Sequence, residues 1–149
     1  MNARETIFAA LFAQLSTASG FVTTSRAPKL IDQVSPAERP ALFQHQLHQS
    51  ADRKLRQPTK WILRAEVILY VHEQNLTSTP SFTDLVQLLN QQIDAVESAI
   101  APSPATMQQT LGGLVEDVRV QGELEVYEMR VQSGHQMAAI IPLEIYPLI

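Results

Sequence analysis

Two histidines and several neighbouring carboxylates are the side chains whose types and spacing could support catalysis or metal binding. His45 and His48 stand three residues apart in a segment that alternates apolar and polar residues, which predicts a strand. On a strand, that spacing places the two side chains on opposite faces, which is wrong for joint ligation of one metal ion. We therefore expect both histidines to have structural roles.

The remaining candidates lack the partners that their chemistry requires. His72-Glu73 is similar to half of a metalloprotease motif, but the second histidine is missing and the pair ends a predicted strand, so we expect it at the surface. Glu116 and Asp117 are adjacent and point to opposite sides of a predicted strand. Gly112-Gly113 lacks the lysine of a phosphate loop and predicts a turn. The chain has no cysteine, which excludes disulfides, thiolate metal sites and cysteine nucleophiles. Because each remaining candidate lacks its partners, we expect no catalytic residue, metal or cofactor, and thus no enzyme.

The charge of the chain is divided at one point. Residues 26–64 hold eight basic side chains against three acidic ones, whereas residues 65–149 hold eleven acidic side chains against two arginines. The basic candidates for subunit or partner contact are Arg53, Lys54, Arg56 and Lys60. The acidic candidates for an interface or a channel wall are Glu116, Asp117, Glu123, Glu125 and Glu128. A surface with the two signs in separate places can complement a second copy of itself, or meet one partner and repel another.

The basic stretch beside Trp61 also fits nucleic-acid binding, through phosphate contacts and base stacking. However, Trp61 falls on the apolar side of its predicted strand and is expected in the core, and the chain is acidic with a pI near 5.5. The pattern therefore favours a solvated hairpin tip over a nucleic-acid surface.

Hydrophobic periodicity predicts a single α+β domain over residues 1–149, with a mainly antiparallel sheet and two principal helices packed on it. The predicted order is α-β-β-β-α-β-β-β, with helices at 3–17 and 82–101 and strands at 21–26, 41–48, 61–72, 114–120, 124–131 and 136–146.

Residues 50–58 are predicted as an exposed hairpin tip, and the last three strands as an antiparallel meander. Ser81 and Asp84 have the spacing of a helix-capping pair, and Pro142 predicts a sheet edge or a bulge. No apolar run approaches the roughly 18 residues of a membrane span, so we expect a soluble protein without a membrane partner.

Taken in order, these segments resemble the tail terminator (tail completion, minor tail protein U-like) family of long-tailed bacteriophages and prophages. In the first part of the chain, the resemblance is carried by the amphipathic opening helix, the entry into a strand at Pro40-Ala41-Leu42-Phe43, the long strand 61–71 and the helix that ends in a proline-bounded loop. In the later part, it is carried by three short motifs: Thr110-Leu111-Gly112-Gly113-Leu114-Val115, Arg119-Val120-Gln121-Gly122 and Ala138-Ala139-Ile140-Ile141-Pro142-Leu143-Glu144-Ile145. The match covers nearly the full length.

The resemblance implies a structural virion protein, made in the bacterial cytoplasm, that forms a homo-hexameric ring at the head-tail junction. Such a ring caps the head-proximal end of the tail tube, stops its polymerisation and presents a surface to the head completion or connector protein. Its partners would be further copies of itself, the tail tube protein and the connector, while DNA passes through the bore without specific binding. Segregated charges suit the contact between unlike patches that a ring requires.

An acidic wall would also let DNA slide without sticking, and the sequence does not apportion the acids between the interface and the bore. A head-side neck or stopper protein and a small nucleic-acid-binding or regulatory module are the alternatives.

Overall fold

The computed structural model describes residues 3–76, 82–131 and 134–148. The helices are α1 (Ala3–Leu15) and α2 (Phe82–Ala99), and the strands are β1 (Thr23–Ser25), β2 (Ala41–Gln46), β3 (Ser50–Asp52), β4 (Lys60–His72), β5 (Val115–Val120), β6 (Glu125–Val131) and β7 (Gly134–Pro147). Single turns of 3-10 helix lie at Ile31–Gln33, Pro36–Glu38 and Glu73–Asn75. The predicted α+β class and element order are confirmed, and β3 is one short strand more than the sequence predicted.

The sheet is built around two long antiparallel strands, β4 and β7, which are paired from Leu63↔Ile145 to His72↔Gln136. Strand β2 lies antiparallel on the other side of β4, and β1 pairs with β2 in parallel. The hairpin β3–β4 extends beyond the end of the sheet, where Asp52 faces Lys60. The sheet is therefore mostly antiparallel, with one short parallel pair at its edge.

The two helices cover one face of the sheet and form the main core. The buried side chains of α1, among them Phe8 and Leu11, and those of α2, among them Leu85 and Leu89, meet the alternate residues of β4 and β7 that face them. This is the expected result of a 3.6-residue apolar stripe packed on a two-residue period. None of the described helices has the length and apolarity needed to cross a membrane.

A segment that precedes β2 covers part of the opposite face of the sheet. There Val34 packs with Phe43 and Tyr70 in a second, smaller core. Arg39 is 4% exposed, and its guanidinium donates hydrogen bonds to the carbonyl oxygens of Ile31 and Val34. The same guanidinium donates to the side-chain oxygen of Gln136 on β7, so Arg39 joins this segment to the sheet.

The predicted meander of the last three strands is wrong. Strands β5 and β6 do not pair with each other but both pair along the same side of β7, with β5 opposite Leu143–Pro147 and β6 opposite Gly134–Ile140. Pro142 lies in the gap between them, and its carbonyl accepts from Gln121 N at 3.1 Å. The N–H and C=O of a strand residue point to the same side, so the N–H that proline lacks would also have pointed toward this gap and not toward β4. The proline therefore interrupts no hydrogen bond between β7 and β4. The predicted capping pair is untested, since Ser81 lies outside the described residues.

Candidate functional site

The predicted basic surface is the tip of the β3–β4 hairpin. Residues 51–61 are all exposed, and Arg53, Lys54, Arg56 and Lys60 form no ion pair with any described residue. Leu55 lies between these cations and is 90% exposed. Arg56 holds a left-handed backbone (φ 62°), which turns the chain at the tip. The hairpin thus presents one apolar side chain flanked by cations, away from the body of the sheet.

The predicted acidic surface is the open edge of the sheet formed by β5, β6 and the residues between them. Glu116, Glu123, Glu125 and Glu128 are exposed there and form no ion pair with any described residue. The hydroxyl of Tyr127 donates to Glu125 at 2.6 Å, which is a contact between neighbours on the same strand. Four of the five predicted acids are therefore available to an outside partner.

Asp117, the fifth predicted acid, is not part of this surface. It is 5% exposed, and its carboxylate accepts from Arg119 Nε at 2.7 Å and from Gln109 N at 2.9 Å. Burial raises the pKa of Asp117, but the hydrogen bonds from Arg119 and Gln109 outweigh burial, so the pKa lies below its ordinary value. Glu116 is exposed and Asp117 is buried, which agrees with the prediction that these adjacent positions point to opposite sides, and a β-bulge lies between Val115 and Asp117.

Two further predictions about single side chains are wrong. Trp61, expected in the core, is 40% exposed, because β4 continues beyond the helix layer before it reaches the hairpin. The guanidinium of Arg4 lies over one face of the indole, 4.4 Å from its centroid. His72, expected at the surface, is fully buried, and its Nδ1 accepts from Gln74 N at 3.0 Å. Burial holds the pKa of His72 below its ordinary value.

The structure assigns no shared role to the predicted histidine pair. His45 lies on β2 with its Nδ1 2.9 Å from Glu66 Oε1, and His48 follows the end of that strand. Among the residues that the structure describes, no group of three or more histidine, aspartate or glutamate side chains is placed to hold a metal ion.

Two hollows lie near the charged surfaces, and sequence reasoning missed both. The base cavity, of about 310 Å³, lies beneath the hairpin and is lined by Asp52, Lys60, Trp61, Glu116 and Tyr146, among others.

The helix-end groove, of about 590 Å³, lies between the end of α2 and β5. Ile100, Pro102, Met107 and Val120 give it apolar walls, and Glu97 stands at its rim. The sequence shows only the charge at this groove: Glu97 stands in the last turn of a helix that has no basic residue there, although a helix C-terminus ordinarily favours cations.

No protein family and no curated protein matches the chain. Among solved structures, one chain aligns with a TM-score of 0.46 at 12% identity, over 98% of this chain and 94% of its own length. A chain from the virion of a native gene transfer agent (GTA) particle aligns with a TM-score of 0.44 at 11% identity, over 94% of this chain and 93% of its own. At TM-scores below 0.5, neither likeness carries an argument about function.

Proposed function

We propose that this protein is a structural virion component that closes into a six-membered ring on the head-proximal end of a phage tail tube. The ring would end tube polymerisation and present the surface that joins the tail to the head connector. The role is one of assembly and uses no catalytic group or cofactor. The order of segments that resembles the tail terminator family supports the proposal.

The observation that carries the proposal is the separation of unpaired charges. The cations of the tip lie beyond one end of β4, whereas unpaired carboxylates lie elsewhere on the surface, at Glu97 near the end of α2 and at Glu123, Glu125 and Glu128 along the opposite part of the β7 edge. Two unlike patches on one chain meet head to tail in neighbouring copies, and such contacts form a closed ring when the rotation closes. Charges that are solvated in the isolated chain become complementary in that arrangement.

Mass photometry and electron microscopy of the purified chain, alone and with preassembled tail tubes, test the proposal. We expect rings of six subunits and tubes with one capped end that no longer elongate. A chain that stays monomeric and leaves tube growth unchanged refutes it. Binding to the purified connector without binding to tubes assigns the chain to the head side, as a neck protein.

The tip variant R53E/K54E/R56E tests whether the hairpin takes part in assembly. We expect a folded monomer, because these side chains are exposed and contact no described acid, but weakened ring formation and capping. The matched control, R53Q/K54Q/R56Q, removes the attraction without adding repulsion and should fall between the wild type and the tip variant. Assembly that is equal in all three proteins rules out a role for the tip.

The exposure of Trp61 favours one second candidate, a nucleic-acid-binding module. An indole beside the basic tip is able to stack on a base, although Arg4 covers one ring face and the neighbouring acids Asp52 and Glu116 oppose phosphate. Trp61 is the single tryptophan of the chain, so its fluorescence reports directly on stacking. Quenching by a single-stranded oligonucleotide that weakens steeply with salt would favour this module, and unchanged fluorescence at low salt excludes it.

A further inference from the structure

We infer that the hairpin tip of one subunit docks in the helix-end groove of a second copy of this chain, with Leu55 as the apolar anchor. The inference rests on the proposed function, since it identifies the contact that would close the ring. It assigns an interface role to Leu55 and Glu97, which the charge pattern of the sequence did not single out.

The apolar parts of the two surfaces match in kind and size. Leu55 is the most exposed large apolar side chain of the described residues, at 90%. The walls of the groove include Met107 and Val120, which are 71% and 44% exposed. The groove, at about 590 Å³, is large enough to accept a leucine side chain together with the adjacent backbone of a hairpin turn. Desolvating an apolar anchor at the centre of a polar rim is the usual arrangement of an energetically important contact.

The charged parts match as well. Glu97 lies in the last turn of α2, where the negative end of the helix dipole adds to its charge, and it forms no ion pair with any described residue. The side-chain amides of Gln14 and Gln109 donate to the carbonyls of Ala99 and Ala101, at 2.7 and 2.9 Å. These neutral donors satisfy the carbonyls without compensating the negative field. The hairpin tip of a second copy would bring cations on both sides of Leu55, and these would supply the positive charge that the C-terminal end of α2 lacks.

The base cavity fits the tip less well. It lies beneath the hairpin of its own subunit, so the cation of Lys60 stands within its walls beside the carboxylates of Asp52 and Glu116. The helix-end groove has Arg119 as its basic residue, and that side chain is bound to Asp117. Its remaining charge is the unpaired Glu97. Each lining carries a formal charge of −1, but only the base cavity includes residues of the hairpin itself, so a second tip that docked there would meet the cations of the first.

Use of the groove as the interface would leave the β6 acids free. The unpaired carboxylate at the rim of the contact would be Glu97, and not Glu123, Glu125 or Glu128. The two roles that compete in the sequence, interface and bore, then fall to different acids. The bore would take the exposed edge of β6.

Cysteine cross-linking tests the contact directly, because the chain has no cysteine of its own. L55C protein is mixed with M107C or V120C protein under mild oxidation, and the products are separated without reductant and mapped by mass spectrometry. We expect disulfides between residue 55 of one copy and residue 107 or 120 of another. Val22 is 65% exposed and lies next to β1, at the far edge of the sheet, so L55C mixed with V22C is the matched control.

The outcomes separate this inference from the proposed function. Rings or capped tubes without cross-linking above the V22C control overturn the groove contact and leave the capping role intact. A dominant disulfide between two copies of L55C means that tips meet tips, and it also overturns the inference. Cross-linked oligomers that never cap tubes support the contact and refute the capping role. A monomer under all conditions refutes both.

A charge exchange provides a second readout in the intact chain. We expect K54E and E97K each to weaken self-association about tenfold or more, and the double variant to recover most of that loss, because the exchanged charges again attract. The variant L55A should weaken association by a similar factor, while L148A, at another exposed leucine, should not. Additive losses in the double variant would contradict a direct contact.

Discussion

Replacing Arg39 by alanine should destabilise the fold by about 3 kcal/mol, an unusually large effect for a charged side chain. Its guanidinium donates to the carbonyls of Val34, at 2.7 Å, and Ile31, at 2.5 Å, and to the side-chain oxygen of Gln136. Removing the donor leaves three largely buried acceptors without it, and each unsatisfied buried group costs about 1–3 kcal/mol. Burial lowers the pKa of Arg39, so loss of the buried cation recovers part of this cost. The net loss of stability therefore lies near the lower end of the range that three unsatisfied acceptors would give.

Urea denaturation followed by circular dichroism measures this change, and hydrogen exchange locates it. A loss of about 3 kcal/mol should lower the melting temperature of a domain of this size by roughly 6–12 °C. R39K should lose nearly as much, because a single ammonium cannot reproduce the fork that reaches two carbonyls and an amide. The surface variant R26A removes an exposed pair with Glu5 and should change the midpoint little.

A stabilising role for the Arg39 hydrogen bonds is refuted if R39A unfolds within about 1 kcal/mol of the wild type and residues 27–40 exchange no faster. That result would mean that water reaches the freed carbonyls without cost. Faster exchange confined to residues 27–40, with an unchanged global midpoint, would show that the segment opens on its own and that Arg39 governs only local stability.

Three other perturbations give expected results of different kinds. D117N should destabilise the fold by about 1–3 kcal/mol at pH 7. Because the pKa of Asp117 is depressed in the folded state, its contribution to stability is complete above pH ~3.9 and is lost as the pH falls through the folded pKa. The urea midpoints of variant and wild type should therefore converge in acid. The pKa of His72 is also depressed in the folded state, so as the pH falls below ~6.5 the unfolded state binds a proton first, and the free energy of unfolding drops by at most about 1.4 kcal/mol per pH unit. H72N should remove this dependence of stability on pH, and an unchanged dependence would mean that another group causes it. Gly20 and Gly113 share a left-handed backbone, but an added Cβ would lie 2.9 Å from Gln92 at Gly20 and would meet nothing within 4 Å at Gly113. G20A should therefore reduce the free energy of unfolding by about 1 kcal/mol more than G113A, as measured by thermal melting.

The helices, the long strands and their order could be predicted because periodicity is set by local burial. Strand β4 alternates over most of its length, and α2 carries a stripe that includes Leu85, Leu89 and Val96, so neither depends on distant partners for its signal. The pairing of β5 and β6 could not be predicted in this way. Short connections favour neighbours in sequence, but β7 is long enough to pair with both strands end to end.

The site was predicted in part, for a related reason. The exposed cations of the tip follow from composition and a proline-bounded loop. Burial of His72 and exposure of Trp61 do not, because both depend on where the covering layers stop, which is a property of the tertiary arrangement. The burial of Asp117 depends on the donors Arg119 and Gln109, and Gln109 lies eight residues before it in a loop whose path the strand pattern does not predict.

The gap at Pro142 separates the sheet edge into two parts that are tied to the core to different degrees. Strand β5 contributes Val115 and Val118 to the core, so substitutions there are tied to folding. Strand β6 hydrogen-bonds only to β7 among the described strands, and Val126 on its helix-side face is still 48% exposed. Its acids can therefore be exchanged, and its hairpin lengthened, without disturbing the packing beneath the helices. Homologous chains should diverge first in this hairpin, as each adapts to the partner that it meets.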